Sequence, residues 1–192
     1  MRWIEGECAD LSPPLSSEVE TFVAFTKAVH VPAPHDAPKN SARDCPLTGK
    51  RADTERRMQN IAHRTDLLTP KLLEIWNTAL VTEIDVPQTW IAGDIHARNV
   101  ITRDGKFAAF IDWGDMCAGD RATDLSGIWN LFEEPEARKT AIDAYGMSDA
   151  TLKRAKGWAV FCGVILLETG LQDNPRHAAM GEATLRRLNE DA

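Results

Sequence analysis

The chain has 192 residues, of which 43% are hydrophobic and 27% are charged. This is the size and composition of one globular domain with a sizeable core. The formal net charge of -7 argues against a nucleic-acid-binding protein, whose contact surface would be basic. The same charge is compatible with a cationic substrate, or with an acidic surface that serves only solubility. The longest apolar run, 158–167, is too short to cross a bilayer. We therefore expect neither a nucleic acid nor a membrane as partner.

The cysteines at positions 8, 45, 117 and 162 form no C-x-x-C pair of the kind that binds zinc or acts in redox chemistry. Free thiols in a reducing compartment are the simplest interpretation. The first residues contain no apolar core of a signal peptide. These features together predict a cytoplasmic protein.

The spacing of apolar residues predicts a helix over 16–30. The segment 31–49 contains four prolines among polar residues and predicts a long surface connection, either functional or a plain linker. A charged helix is expected over 53–64. Another helix begins at Thr69-Pro70, with Thr69 as the N-cap and proline in the first turn, and helical structure stops at Pro87.

A β-hairpin is predicted next, because 99–102 and 107–111 have strand-like composition and an Asp-Gly turn lies within 103–106. Trp90-Ile91 forms a short apolar segment before it. From 123 to the end the patterns predict helices over 123–132, 135–145, 150–170 and 175–189. The predicted fold class is α+β, mainly α-helical, with one small hairpin.

Two acidic motifs flank this hairpin. In the first, 93–99, Asp94 follows a glycine and precedes Asn99 by five positions; in the second, 111–115, Asp112 ends an apolar strand. The hairpin would place Asn99 and Asp112 side by side. Phosphoryl transfer from a nucleotide needs a carboxylate that orients and deprotonates the attacking hydroxyl, and oxygen ligands for the metal on the phosphates. Each residue alone could simply occupy a turn or end a strand. Their combined spacing predicts a catalytic base, Asp94, and two metal ligands, Asn99 and Asp112.

Other polar residues near the motifs have supporting roles in this interpretation. His96 is expected to orient the loop, since no second histidine stands at a zinc-binding spacing. Arg98 could meet a phosphate, bridge to Asp120 or lie in solvent. Asp115 could support the metal ligands without binding the metal itself. Asp120 and Asp124 are expected to be structural, with Asp120 capping the next helix or bracing the loop that carries the base.

Hydrolysis by two carboxylates without a metal is an alternative use for Asp94 and Asp112. It gives no reason for an asparagine five positions after Asp94, nor for the Asp-Trp-Gly ending of the second motif. A serine hydrolase is disfavoured because the sequence contains no G-x-S-x-G.

The motifs resemble those of the aminoglycoside phosphotransferase family, kinase-like enzymes that include choline and homoserine kinases. Its catalytic loop reads H-G-D-x-H-x-x-N, and its metal motif reads I-D-W-G followed by G-D-x-x-x-D-L. The segments 93–99, 111–115 and 119–125 match this pattern. The segments 25–30 and 37–40 look like the family's helix and following loop, and 2–7 looks like its hinge between lobes.

The resemblance implies a protein-kinase-like C-terminal lobe over 9–192, with 1–8 as the remnant of the hinge. It implies ATP as phosphoryl donor, Mg²⁺ as cofactor and a small-molecule hydroxyl as acceptor. The adenine would lie against the hinge residues Trp3, Ile4, Glu5 and Gly6, and the acceptor among the C-terminal helices. Glu133, Glu134, Glu136 and Asp173 could face a cationic aminoglycoside, or form a solvated acidic surface.

The sequence departs from the family pattern in two ways. Ala92 stands where the family has histidine, so we expect the loss of a hydrogen bond that braces the loop. No G-x-G-x-x-G and no strand lysine precede the hinge, so we expect the N-terminal lobe to be absent and activity to be weak or lost. Apolar surface left uncovered would favour association with a second copy or with a missing N-lobe partner. The alternative function is a non-catalytic, pseudokinase-like binding module.

Overall fold

The computed structural model describes residues 3–191, so the predicted hinge positions Met1 and Arg2 lie outside the described residues. The described part is mainly helical, with two small sheets. In chain order its elements are β1 (Glu7–Cys8), α1 (Val19–Val29), α2 (Arg51–Ile61), α3 (Pro70–Val81), β2 (Thr89–Ile91), β3 (Val100–Arg103), β4 (Lys106–Phe110), β5 (Cys117–Gly119), α4 (Ala122–Leu125), α5 (Gly127–Leu131), α6 (Pro135–Tyr145), α7 (Asp149–Asp173) and α8 (Pro175–Glu190). Within residues 3–191, no helix has the length and apolar content that crossing a bilayer requires.

Local sequence signals explain where several helices begin. Thr69, Ser148 and Asn174 accept hydrogen bonds from backbone N–H groups in the first turns of α3, α7 and α8. These bonds satisfy donors that have no partner inside the helix. Proline stands at the start of α3, α6 and α8, where its missing N–H costs nothing.

The predicted hairpin is confirmed. Strands β3 and β4 pair antiparallel, with Val100 opposite Phe110 and Arg103 opposite Lys106. Asp104 and Gly105 form the two-residue turn, with φ of 53° and 71°, which is the backbone twist such tight hairpins favour. Strand β1 joins the other edge of β3 to complete a three-stranded sheet.

Three elements differ from the sequence prediction. Strands β1 and β5 were not predicted, and β5 pairs with β2 in a separate two-stranded sheet. Neither short segment has strand-like composition, so tertiary pairing determines both. The helix predicted over 123–132 is two short helices, α4 and α5, separated at Ser126. Just after this break the backbone packs against the first motif: a Cβ at Gly127 would lie 2.7 Å from Ile95 Cγ2.

The long helix α7 is the centre of the molecule and packs against α2, α3, α4 and α8. Its own Trp158 is almost completely buried, as are Trp76 of α3 and Trp129 of α5. Helices α7 and α8 approach each other closely at glycines: a Cβ at Gly170 would lie 2.0 Å from the backbone nitrogen of Ala178. This packing holds α7 in a fixed position beside the loop that carries Asp94.

An aromatic cluster attaches the hairpin to the helices. Phe25 of α1 stacks on Phe110 of β4, with ring centroids 3.7 Å apart and an interplanar angle of 7°. Phe22 adds edge contacts to Phe132 and tilted contacts to Phe107. The end of β4, which leads directly into Asp112, is therefore held in place by partly buried aromatic packing.

Candidate active site

The loop that carries Asp94 begins with a conformation that only glycine adopts easily. Gly93 has φ of +85°, and a Cβ on it would lie 2.8 Å from the backbone oxygen of Asp115. Both the backbone angle and the lack of space therefore require glycine here. This turn presents Asp94 beside Asp115, at a partly exposed position.

A buried carboxylate fixes the backbone just before Asp94. The backbone nitrogens of Ala92 and Gly93 donate to Asp124 Oδ2 and Oδ1 at 2.7 and 2.8 Å. Asp124 is fully buried and also lies 3.1 Å from His30 Nε2. Because these donors are backbone groups, they do not depend on the residue type at position 92. The loop is therefore braced despite the alanine at that position.

Asp120 has a different role from the one that Asp124 fills. Its Oδ1 accepts from the backbone nitrogen of Ala122 at 3.1 Å, at the start of α4, and its Oδ2 accepts from Arg154 Nε at 2.7 Å. It thus holds the start of a helix against α7, and the loop carrying Asp94 is braced by Asp124 instead.

Both carboxylate oxygens of Asp94 face polar partners. Arg43 Nη2 donates to Oδ1 at 2.6 Å, Asn99 Nδ2 donates to Oδ2 at 3.2 Å, and His96 Nε2 lies 3.5 Å from Oδ2. Burial on its own would raise the pKa of this carboxyl. The hydrogen bond to His96, the charge of Arg43 and the hydrogen bond from Asn99 outweigh burial, so the pKa lies below the usual 3.8. Asp94 is therefore ionised at neutral pH.

Arg43 is the site residue that the sequence reasoning missed. It lies in the proline-rich connection 31–49, and its Nε donates to Asp115 Oδ2 at 2.8 Å while Nη2 binds Asp94. Asn40, from the same connection, donates to Asp115 Oδ1 at 3.0 Å. The signal that could have found Arg43 was the match of 37–40 to the family loop, because Arg43 follows it closely. Asp115 thus anchors this connection to the site.

Asn99 and Asp112 end on the same side of the hairpin. The backbone nitrogen of Ile111 donates to the backbone oxygen of Asn99 at 2.9 Å, and Asp112 follows in a left-handed conformation with φ of 59°. A non-glycine residue in that conformation is strained, and such strain is common at functional positions. Together with Asp94 they line one small hollow, here called the hairpin crevice, with lining residues Ala92, Asp94, Ile95, Asn99, Phe110, Ile111, Asp112 and Trp113.

Oxygen atoms in the hairpin crevice are available to a cation. Asn99 uses its Nδ2 to donate to Asp94, which leaves Oδ1 without a hydrogen bond from residues 3–191, and the carboxylate of Asp112 accepts none from them either. Over the described residues, no group of three or more His, Cys, Asp or Glu side chains is arranged to hold a metal. The described side chains of this site therefore do not supply a complete set of metal ligands. An amide oxygen and a carboxylate suit Mg²⁺, which takes few protein ligands and completes its shell with water and phosphate.

His96 and Arg98 lie within the loop but point to different partners. His96 Nδ1 accepts from the backbone nitrogen of Arg98 at 3.2 Å, so the ring links the loop backbone to Asp94. Arg98 Nη1 lies 2.7 Å from His177 Nε2, and the bridge to Asp120, one of the three alternatives for this residue, is not formed, since Asp120 pairs with Arg154. Burial and the charge of Arg98 lower the pKa of His177, which favours its neutral form.

The predicted hinge residues run beside β3. Gly6 has φ of +137°, and a Cβ on it would lie 2.3 Å from the backbone oxygen of Thr102. This segment therefore packs closely against β3. Glu5 lies 3.5 Å from Arg103. Trp3 and Ile4 are 86% and 42% exposed. The segment thus presents apolar side chains to the exterior on the same sheet that carries the hairpin, and contact with a nucleotide remains a prediction.

A second, larger hollow adjoins the other side of Asp94. This Asp94 pocket has a volume of about 320 Å³ and is lined by Ala42, Arg43, Lys50, Gly93, Asp94, Ile95, His96, Thr123, Ser126, Phe161, Cys162, Ile165 and Leu166. Its size is at the lower end of the range for small-molecule sites. Burial raises the pKa of the Cys162 thiol to about 11, so this cysteine is a protonated wall residue.

Comparison with known proteins decides the family. The sequence model of the phosphotransferase enzyme family (APH) matches residues 1–158. The chain belongs to this family. No curated protein matches it significantly.

Solved structures of this family share its kinase-like fold. The gentamicin complex of APH(2")-IIa is 18% identical, with a TM-score of 0.52 over 97% of this chain and 69% of that one. A thermostable mutant of APH(4)-Ia is 16% identical, with a TM-score of 0.55 over 100% and 71%. The GDP complex of aminoglycoside 2'-phosphotransferase-IIIa is 14% identical, with a TM-score of 0.55 over 100% and 70%. At these identities the likeness establishes the fold, and the acceptor must be argued from the site itself.

Proposed function

We propose that this phosphotransferase-family protein transfers the γ-phosphoryl group of ATP to the hydroxyl of a small molecule. The observation that carries the proposal is the hairpin crevice, where Asp94, Asn99 and Asp112 share one wall. The structural relatives add support, since one is a streptomycin–ATP ternary complex and another is ADP-bound. Mg²⁺, when bound, would neutralise charge on the phosphates, and Asn99 Oδ1 with the Asp112 carboxylate would hold it.

Asp94 would orient the acceptor hydroxyl and accept its proton. Its low pKa makes it a weak base. A weak base is adequate when the transition state is loose and positioning contributes most of the catalysis. Arg43 and Asn99 keep the carboxylate in one orientation, while Asp124 fixes the backbone that precedes it.

We further propose that 9–192 act as the kinase-like C-terminal lobe and that Trp3, Ile4, Glu5 and Gly6 face the adenine. The sequence given contains no glycine-rich phosphate-covering loop. Water would therefore reach the bound phosphates, and we expect this chain by itself to bind nucleotide weakly and to transfer phosphoryl groups slowly.

A non-catalytic binding module is the second candidate, and one contact favours it. The guanidinium of Arg43 already occupies Asp94 Oδ1, the atom that an acceptor hydroxyl could otherwise approach. A protein that had lost catalysis could retain this ion pair as a structural link between the connection 31–49 and the loop.

Calorimetric titration of the chain with ATP, with and without Mg²⁺, separates the two candidates. The phosphotransferase proposal expects Mg²⁺-dependent binding that Asp112→Asn removes, and slow acceptor-dependent turnover that Asp94→Asn abolishes. Asp66→Asn, at an exposed aspartate that lines neither the hairpin crevice nor any other hollow containing Asp94, is the matched control and should change neither. Nucleotide binding that is absent, or indifferent to Mg²⁺ and to Asp112, would support the binding module instead.

A further inference from the structure

The charges on the wall of the Asp94 pocket bear on the class of acceptor, given the function proposed above. The charged residues among its lining are Arg43, Lys50 and Asp94, two formal positive charges against one negative. The acidic residues that could have faced an aminoglycoside, Glu133, Glu134, Glu136 and Asp173, do not line it.

Lys50 differs from Arg43 and Asp94, the other two charged residues of the wall, in having no ion-pair partner among residues 3–191. Arg43 is engaged by two carboxylates, those of Asp94 and Asp115. The Lys50 ammonium lies 5.7 Å from the centre of the Phe161 ring, and no carboxylate of residues 3–191 pairs with it within 4 Å. Lys50 is half-buried, so its charge is less screened than that of a fully exposed lysine.

Two acidic residues that do not line the pocket, on the neighbouring helices α7 and α2, already have ion-pair partners. Glu168, one turn further along α7 than Ile165, accepts from Arg57 and, at 2.7 Å, from Asn60. Asp53 of α2 pairs with Arg56 and Arg57. No uncommitted carboxylate therefore offsets Lys50 from this direction.

The remaining wall is largely apolar. Phe161, Ile165 and Leu166 present one face of α7 to the pocket, next to the thiol of Cys162. An acceptor with several ammonium groups would meet both the like charge of Lys50 and a surface that cannot solvate it. An acceptor with a hydrocarbon portion would bury that portion favourably.

We propose that the acceptor is a small hydroxy acid with an apolar body, whose carboxylate pairs with Lys50 and whose hydroxyl lies against Asp94. The inference deepens the phosphotransferase function and rests on it. It distinguishes this pocket from one that would select a polycationic aminoglycoside such as gentamicin, which one structural relative binds.

Acceptor binding is measured without nucleotide, so that it is independent of catalysis. The 192-residue chain is titrated with 3-hydroxyoctanoate, with octane-1,3-diol as its uncharged analogue, and with gentamicin. We expect the hydroxy acid to bind about fivefold more tightly than the diol, the advantage of one partly screened ion pair, and gentamicin to bind more weakly than either.

Two substitutions test the assignment of charge and apolar contact separately. Lys50→Glu should remove the advantage of the hydroxy acid over the diol, and Lys50→Gln should do the same without adding a negative charge. Lys139→Glu, at an exposed position on α6, makes the same charge change outside the pocket and should leave the advantage intact. Leu166→Asn should weaken the acid and the diol to the same extent.

Tighter binding of gentamicin, failure of the hydroxy acid to bind, or an advantage that survives Lys50→Glu would each overturn the inference. None of these outcomes touches Mg²⁺-dependent ATP binding, which tests the proposed function on its own. Conversely, the chain could show no Mg²⁺-dependent ATP binding and still prefer the hydroxy acid over the diol. That result would overturn the phosphotransferase proposal, and the role of Lys50 in binding the carboxylate would remain supported.

Discussion

Arg43 and Asp94, 51 positions apart in sequence, are joined by a hydrogen-bonded ion pair of 2.6 Å. Arg43 also binds Asp115, so one guanidinium connects the proline-rich segment 31–49 to both acidic motifs. The segment therefore contacts the candidate site, and a functional role for it remains a prediction.

Hydrogen bonding with His96 and the charge of Arg43 outweigh burial and make Asp94 a source of pH-dependent stability. Because its folded pKa is depressed, the carboxylate stabilises the fold above its unfolded pKa, and that contribution is lost as pH falls through the folded pKa. Arg43→Ala should therefore raise the pKa of Asp94 and shift the loss to higher pH. Urea unfolding across the acid range checks this. Arg186→Ala, at an exposed position of α8, should leave the profile unchanged, and an unchanged profile in Arg43→Ala as well would refute the coupling.

Removal of the buried carboxylate of Asp124 should be costly. Asp124→Ala leaves the N–H groups of Ala92 and Gly93 without partners, and unsatisfied buried donors cost about 1–3 kcal/mol each. We expect a loss of about 3 kcal/mol in the free energy of unfolding, measured in urea. Asp143→Ala on the exposed side of α6 should cost less than about 0.5 kcal/mol. Similar costs for the two variants would show that Asp124 does not hold the loop.

Two glycines with positive φ provide a matched test of the loop before Asp94. Gly93 and Gly146 have φ of 85° and 77°, but a Cβ on Gly146 would meet nothing within 4 Å, while one on Gly93 would lie 2.8 Å from Asp115. Gly146→Ala should therefore cost about 1 kcal/mol, for the left-handed backbone alone. Gly93→Ala should cost clearly more and should also weaken Mg²⁺-dependent ATP binding. If the two variants lose the same stability in thermal unfolding, the loop before Asp94 accommodates a Cβ at position 93 without additional cost.

Replacement of the strained Asp112, just after β4, should increase stability and remove the proposed function. Asp112 has φ of 59° and forms no hydrogen bond through its side chain at the turn that it begins. Asp112→Gly should raise the free energy of unfolding by up to about 1 kcal/mol and abolish Mg²⁺-dependent ATP binding.

Asp104, with φ of 53° in the hairpin turn, is the control for that experiment. Asp104→Gly should give a similar gain in stability and leave ATP binding unchanged. A glycine at 112 that retains Mg²⁺-dependent binding would remove Asp112 from the proposed metal site.

The predictable part of this molecule was the part encoded locally. Helices α1, α3, α6, α7 and α8 follow apolar periodicity, α3, α7 and α8 also begin at capping side chains, and the hairpin follows from its Asp-Gly turn. The hairpin in turn brings Asn99 and Asp112 to one crevice, because pairing across a two-residue turn fixes which residues are neighbours.

The unpredicted part depends on contacts between distant segments. Arg43 and Lys50 lie in or beside an irregular connection, and no periodicity indicates where such residues will end. Strand β5 exists because β2 lies next to it, and the break between α4 and α5 lies beside Ile95 of the first motif. The loop before Asp94 is braced by backbone N–H groups of Ala92 and Gly93 on Asp124, contacts between groups 32 and 31 positions apart in sequence.

Much of the wall of the Asp94 pocket comes from one helix. Phe161, Cys162, Ile165 and Leu166 all belong to α7, while Asp94, Asn99 and Asp112 lie on loops outside it. If the acceptor binds in the Asp94 pocket as proposed, a small combinatorial library on a single helical face should change acceptor preference, without changing the residues proposed to perform the chemistry. Close packing of α7 on α8 at Gly163, Gly170 and Gly181 marks the opposite face as the one such a library should leave untouched.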